Sequence, residues 1–252
     1  MKKAVSSALI RTIRELQDLK SLKKFALAGG TNLALRYNHR ESIDIDLFCP
    51  EIIGFKGFGE IKEEVKGIYG DKVFGFVDPT NINDQFTFLR FFVSKGSTII
   101  KVDVIQNMKI IDPIEELNGV RLFSVRDIAL FKLMSASSRP ARKDIYDLYY
   151  ITKKYSLIDL YNQLLEKHKR FSKKEDRSIF DLDDEDTALN NPLLLLRFDN
   201  RYKVSKDKMM HSQDNIVTVE GADSWHIASI RWRVQLRQLC SALDIDYPSA
   251  EI

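Results

Sequence analysis

The stretch Ile43-Asp44-Ile45-Asp46-Leu47-Phe48 alternates apolar and acidic residues, and few folds accommodate that pattern. Strand side chains point to opposite faces in turn. Ile43, Ile45 and Leu47 are therefore expected on one face of a strand over 43–48, with Asp44 and Asp46 together on the other. Two carboxylates on one face repel each other unless a cation or strong donors lie between them. A divalent metal is one way to resolve this, because Mg²⁺ takes oxygen ligands, keeps some water, and binds one or two carboxylates plus substrate phosphates. A solvated strand face is the alternative for an Asp-x-Asp taken alone.

The residues upstream add to the first reading. An apolar strand over 25–28 runs into Gly29-Gly30-Thr31, followed by a helical stretch over 31–38. Glycines let a backbone come close to a ligand, and a helix start offers free N–H groups to a phosphate. Gly29, Gly30 and Thr31 thus read as a phosphate cradle ahead of a carboxylate pair. Taken together, Gly29-Gly30-Thr31, His39-Arg40-x-Ser42 and Asp44-Ile45-Asp46-Leu47-Phe48 resemble the AbiEii-type nucleotidyltransferases. These are toxin components of bacterial toxin–antitoxin and phage-defence systems, within the polymerase-β-like nucleotidyltransferase superfamily. The resemblance covers residues 25–150.

Composition is compatible with this and excludes other classes. The chain has 252 residues, 44% hydrophobic and 30% charged, enough to bury the core of one large domain or two small ones. No apolar run approaches bilayer length, and Arg11, Arg14 and Glu15 interrupt the first segment where a signal peptide would be apolar. A cytoplasmic protein without membrane contact is expected. Cys49 and Cys240 lie far apart and are read as free thiols. Net charge is +3, but residues 1–40 carry nine Lys or Arg against Glu15 and Asp18. That local excess is either a nucleic-acid or nucleotide-facing surface or a solvated helix face.

Helical spacing of Val5, Leu9, Ile13 and Leu16 predicts a helix over 4–20, and Ile61, Val65 and Ile68 one over 57–69. Strands are expected over 73–77, 85–93 and 98–105, with Ser94-Lys95-Gly96-Ser97 as a hairpin loop between the last two. In the second of these, Val102 and Val104 face one side and Asp103 the other. Asp103 is then a candidate third carboxylate, and three acidic groups bridging two metal ions suit in-line nucleotidyl displacement. The resemblance implies that Asp103 completes the metal site with Asp44 and Asp46 and orients the attacking hydroxyl.

Further helices are expected over 124–135, with Ser124 and Asp127 as a capping-box variant, and over 141–154, 157–168 and 224–243. Lys132 and the Lys143-Asp144-x-x-Asp147 run resemble the family's later motifs, which implies that Lys132 and Asp144 lie near the nucleotide. A Lys can offset triphosphate charge, and an Asp on the next helix can hold it in place. The bland account has Lys132 solvated and Asp147 paired with Lys143 at i,i+4. The acidic run 181–186 reads as a solvated loop or antitoxin-facing patch. Segments 204–210 and 216–219 read as short strands or loop, and Trp225 and Trp232 as core.

The expected fold is α/β (α+β), a nucleotidyltransferase-like mixed sheet with flanking helices over 1–110 and a mainly helical part over 111–252 covering the nucleotide cleft. The resemblance implies transfer of a nucleoside monophosphate from an NTP to a hydroxyl of RNA, with the tRNA 3′ end as one such acceptor, in a toxin restrained by a separate antitoxin. Two Mg²⁺ ions would serve the reaction. Gly29, Gly30, Thr31, Arg40 and Ser42 would bind substrate, while Asp44, Asp46, Asp103, Lys132 and Asp144 would act in catalysis. A small-molecule (antibiotic-type) nucleotidyltransferase and a non-catalytic binding module on the same scaffold are the competing readings.

Overall fold

The computed structural model describes residues 3–79, 83–181, 186–202, 204 and 215–250. The chain divides into two compact units. One comprises Lys3–Ser124 with the described part of 171–182, and the other Val125–Arg170 with the described part of 183–252.

The first unit is built on a seven-stranded mixed sheet. Its strands in chain order are β1 (Ala26–Leu27), β2 (Ile45–Phe48), β3 (Val73–Val77), β4 (Phe88–Lys95), β5 (Thr98–Ile105), β6 (Glu115–Leu117) and β7 (Val120–Leu122). They lie in the order β3-β4-β5-β2-β1-β7-β6. β2 pairs parallel with β5 and β1 parallel with β7, and the other neighbours are antiparallel. Ile45, Leu47, Leu89, Phe91, Val102 and Val104 are fully buried, so the apolar members of the alternating runs fix which face meets the core.

Three helices flank this sheet: α1 (Ser7–Asp18), α2 (Gly29–Tyr37) and α3 (Gly54–Tyr69). The Ser6 side chain caps α1 by accepting from the Leu9 N–H at 3.1 Å, and Leu9, Ile13 and Leu16 are buried as their spacing predicts. On α3 the buried stripe is Phe58, Ile61, Val65 and Tyr69. Ile68 is exposed, because Tyr69 continues the i, i+4 row from Val65 and Ile68 falls off it. Ile43 is likewise exposed, since β2 begins only at Ile45.

The sheet extends past residue 110. Glu115–Leu117 and Val120–Leu122 form a hairpin whose turn is Asn118-Gly119, both with positive φ (51° and 73°). Positive φ at both central residues suits the right-handed twist of the flanking strands. β7 then docks on β1, with Leu27 opposite Leu122, which carries the first unit to Ser124.

The second unit is helical: α4 (Val125–Ser138), α5 (Arg142–Ile151), α6 (Leu157–Arg170) and α7 (Trp225–Ala242), with a short 3₁₀ segment at Pro192–Leu196. α4 and α5 meet at Ser138-Arg139-Pro140-Ala141, where proline ends the helical ladder. Asp127, expected as a cap, is fully buried and accepts from Lys167 Nζ on α6 at 3.1 Å. Trp232 is also fully buried and donates its indole N–H to the Leu195 carbonyl at 3.2 Å. Residues 182–185, most of the acidic run, and 205–210 lie outside the described residues; 216–219 contains no strand. Among the described residues no helix is long and apolar enough to cross a membrane.

Replacing Gly119 by Val should destabilise the first unit by about 1–2 kcal/mol, the usual cost of forcing an L side chain into left-handed backbone. The nearest heavy atom to a Cβ there, Arg14 Nε, is 4.0 Å away, so crowding adds little. A urea midpoint equal to that of the wild type would show that the turn does not carry this strain.

Candidate active site

The β2–β5 register builds the first group of side chains. Asp46 lies directly beside Asp103, and Asp103 lies directly opposite Arg90 of β4. Neighbours in register point to the same face, so Arg90, Asp103 and Asp46 form a row across three strands. Two residues earlier on β5, on the same face, Lys101 stands level with Asp44, because Ile45 pairs with Val102. The Lys101 ammonium is 3.3 Å from Asp44 Oδ2 and 3.4 Å from Asp103 Oδ2. Arg90 donates to both oxygens of Asp103, Nε to Oδ1 at 2.6 Å and Nη2 to Oδ2 at 3.1 Å.

The three expected carboxylates are thus brought together, and their repulsion is met by the protein's own cations. Burial works against a charged Lys101, yet Asp103, Asp44 and Asp46 outweigh it and hold its ammonium above the ordinary lysine range. The forked bond from Asp103, reinforced by Asp46 and Asp44, likewise raises Arg90. Neither cation is among the residues expected from the sequence. Lys101 has a sequence signal, since it stands two residues before Asp103 in an alternating strand. Arg90 becomes visible only once the β4–β5 register is known.

The glycine turn has a more specific use than loop flexibility. Gly29 and Gly30 are the first two residues of α2, and Gly29 has φ of 61°. A Cβ on Gly29 would overlap the Asp46 carboxylate, and one on Gly30 would overlap the Arg40 guanidinium. Both glycines therefore admit a charged side chain to the helix start, where the macrodipole favours an anion such as the Asp46 carboxylate. Ala28, at the N-cap, donates its N–H to the Asp46 carbonyl at 2.8 Å and offers no side-chain cap. Thr31 is buried; its hydroxyl donates to the Asp44 carbonyl and sits 2.8 Å from Ser42 Oγ. Thr31 and Ser42 thus brace the backbone that leads into β2. Arg40 is buried and donates to the Glu41 carbonyl at 3.1 Å.

Asp44 and Asp46 suit a hard cation in the one-or-two-carboxylate mode of Mg²⁺, whose remaining positions go to water and phosphate. Among the described residues no group of three His, Cys, Asp or Glu is arranged to hold a metal by itself.

A second cluster belongs to the helical unit. Lys132 of α4 donates to Asp144 Oδ1 at 2.6 Å and lies 2.8 Å from Asp147 Oδ2. Arg139 donates to Asp144 Oδ2 through Nε at 3.1 Å and Nη2 at 3.0 Å. Lys132, Asp144 and Asp147 are buried. Burial opposes the charge on Asp144, but Lys132 and Arg139 overcome it and hold the carboxyl below the ordinary value. Lys132 is therefore not a solvated lysine, and Asp147 is its direct partner.

Known proteins bear on both units. The model for "Nucleotidyl transferase AbiEii toxin, Type IV TA system" matches residues 11–235. The chain belongs to the AbiEii nucleotidyltransferase toxin family. An uncharacterized protein of Aquifex aeolicus (strain VF5) is 27% identical over 140 residues, 52% of this chain and 59% of that protein. The match thus spans little more than half of that relative's length. The nucleotidyltransferase toxin MenT4 from Mycobacterium tuberculosis H37Rv superposes with a TM-score of 0.51 at 16% identity, covering 95% of this chain and 85% of that one. At that identity the likeness is one of fold, and the seven-stranded mixed sheet with flanking helices is an α+β fold of that kind.

The residues expected from the AbiEii resemblance fall into two sets, one in each unit. Asp44, Asp46 and Asp103 converge on one sheet face, with Gly29, Gly30, Thr31, Arg40 and Ser42 around the α2 start. In the helical unit Lys132 and Asp144 form a buried network with Asp147, and Arg139 joins it from a half-exposed position.

That network predicts a pH-dependent defect. Lys132→Met leaves two buried carboxylates without their ammonium and should cost about 3–5 kcal/mol at pH 7. Asp144 is held below its ordinary value of 3.8, so its stabilising contribution is complete above that value and is lost as pH falls through the lower folded one. The difference in thermal midpoint between variant and wild type should therefore narrow below about pH 4. A gap that is constant down to pH 3 would mean that packing, and not charge, sets the loss.

Proposed function

We propose that this AbiEii-family chain transfers a nucleoside monophosphate from an NTP to a hydroxyl of RNA, releasing pyrophosphate, with the tRNA 3′ end as one such acceptor. The observation that carries the transfer chemistry is the in-register pair Asp46–Asp103 with Asp44 beside it, and the RNA acceptor follows from the AbiEii resemblance. In this reading Asp44 and Asp46 would hold Mg²⁺, supplied as two ions, and Asp103 would complete the metal site only on leaving the cations, Arg90 and Lys101, that engage it in this structure. Bound there, Mg²⁺ would neutralise charge that builds on the reacting phosphate.

The chain's own residues do the rest. The Asp103 carboxylate orients the acceptor hydroxyl, whose proton passes to water as its oxygen bonds to the α-phosphorus. The bond to the β-phosphate oxygen breaks and pyrophosphate leaves. Arg90, forked onto Asp103, fixes the orientation of that carboxylate. Lys101 and Arg40 add positive charge where the phosphates gather, in a site that needs little rearrangement as charge develops. Gly29, Gly30 and Thr31 set the α2 start against Asp46, and Ser42 braces the approach to Asp44. The AbiEii resemblance gives Lys132 and Asp144 a role toward the nucleotide, and that role rests on the family's motifs alone. As a toxin the chain would be restrained by a separate antitoxin and would act in the cytoplasm, in phage defence among other settings. The family description supports the toxin reading.

The test is transfer of label from each α-³²P NTP to total bacterial RNA, with Mg²⁺ and with EDTA. One NTP should label RNA. Asp44→Asn with Asp46→Asn should reduce labelling about 100-fold or more, as expected when electrostatic stabilisation is removed from a reaction of this kind. Labelling of a small hydroxylated acceptor in place of RNA would move the assignment to a small-molecule nucleotidyltransferase. Full activity in the double variant would end the carboxylate assignment.

A further inference from the structure

The helical unit contains a cavity that neither charge cluster uses. It has a volume of about 530 Å³, within the range of small-ligand sites. Arg142 lines it from the start of α5, Asp199 and Arg201 from the segment after the 3₁₀ turn, and Trp225, His226 and Arg233 from α7. Positions 226, 229, 230 and 233 recur at i, i+3, i+4 and i+7, so one face of α7 forms the wall.

The lining is cationic and aromatic together. Asp199, its one carboxylate, is buried and accepts from Arg201 at 2.9 and 2.7 Å and from Arg233 at 2.8 Å. Three guanidinium groups against one carboxylate leave positive charge in excess. Asp199 also orients two of the forks before any ligand arrives, and a planar fork matches a phosphate. Arg142 lies 6.0 Å from the Trp225 ring centroid, and Phe198 backs that ring edge-on at 5.4 Å. Trp225 is half-buried at the cavity, whereas Trp232, two helical turns further on, is sealed in the core.

We propose that this cavity binds single-stranded RNA, with phosphate held by Arg142, Arg201 and Arg233 and a base stacked at Trp225 and His226. Single strands are held in this way, by cations along the backbone and by aromatic or guanidinium planes under splayed bases. A volume of about 530 Å³ is of the size that holds a small ligand such as one nucleotide. The inference rests on RNA being the acceptor and adds a surface that engages it. An acidic peptide would satisfy the arginines but leave the aromatic wall without a partner.

The test uses the full chain without NTP, so that binding is read apart from transfer. A 5′-fluorescein 12-nucleotide single-stranded RNA is titrated and followed by anisotropy, and the unlabelled RNA by tryptophan fluorescence. The chain has two tryptophans, and only Trp225 lines the cavity. RNA should quench the fluorescence, and Trp225→Phe should remove the quench. Arg142→Ala/Arg201→Ala should raise Kd about tenfold or more. The same pair should flatten the salt dependence by about 0.7 in log–log slope for each phosphate no longer neutralised. Arg231→Ala, an exposed charge on the same helix outside the lining, should leave Kd unchanged.

Circular dichroism checks folding. Should the alanine pair unfold, Arg142→Lys/Arg201→Lys keeps the charge and removes the forks, and a weakened Kd there is the expected result. Wild-type Kd and quench in a folded cavity variant would overturn the proposal, as would a glutamate peptide that competes as well as RNA. Weakened binding in the cavity variants combined with no RNA labelling by any NTP would support the cavity and refute the transfer reading. Labelling with an unchanged KM for RNA in those variants would refute the cavity and leave transfer intact.

Discussion

The parallel pairing of β2 with β5 is the constraint on which the first unit's chemistry depends. It places Asp46 beside Asp103 and Lys101 level with Asp44. The register is held by Ile45, Leu47, Val102 and Val104, all fully buried. A slip of one residue would turn every one of them to the other face and carry Asp103 into the core. The apolar residues of these two strands thus determine where the acidic residues stand. The same sheet order brings β1 alongside β2, and the helix that follows β1 therefore starts at the Asp46 carboxylate.

Glycine serves close approach here. Gly29 and Gly30 each hold open space that a charged side chain of the same unit fills, Asp46 at one and Arg40 at the other. Helix start, carboxylate and guanidinium are packed together because neither glycine carries a Cβ. The cost is a left-handed Gly29, which only glycine adopts without strain. Thr31, bound to the Asp44 backbone and to Ser42, ties the next turn of α2 to the strand that carries the acids. The motif works as a mutual support of α2 and β2, so its residue types are constrained by packing as well as by charge.

Much of this is legible in the sequence where period and turn chemistry agree. The alternation in 43–48 and 98–105 locates the carboxylates, and the helical spacing in α1, α4, α6 and α7 locates those elements within a few residues. What is not legible comes from register and from tertiary competition. Arg90 sits in an ordinary-looking strand and acquires its role only by standing opposite Asp103. Ile68 has the right spacing for a core position and loses it to Tyr69. The Asn118-Gly119 pair is a strong local hairpin signal, yet the strands on either side of it are only three residues long and too short to show a period. Helical spacing points Asp147 to Lys143, but not to the buried lysine on the preceding helix that lies 2.8 Å from it, because that contact depends on how α4 and α5 pack.

The two charge clusters solve the same electrostatic problem differently. In the helical unit Lys132, Asp144 and Asp147 are buried together, and Arg139 forks onto Asp144 from a half-exposed position. Removing any member strands a partner away from water, so such a network resists rearrangement. On the sheet face Asp44 and Arg90 remain partly open to solvent, and Lys101 reaches its carboxylates at 3.3 and 3.4 Å instead of at close hydrogen-bond contact. Longer, partly hydrated pairs cost less to exchange for another cation or for a phosphate. The sheet face is therefore the place where a cation or a phosphate could exchange with the protein's own charges at least cost. The buried network keeps α4 and α5 in register and has little charge to spare except at Arg139, whose side chain stays half exposed.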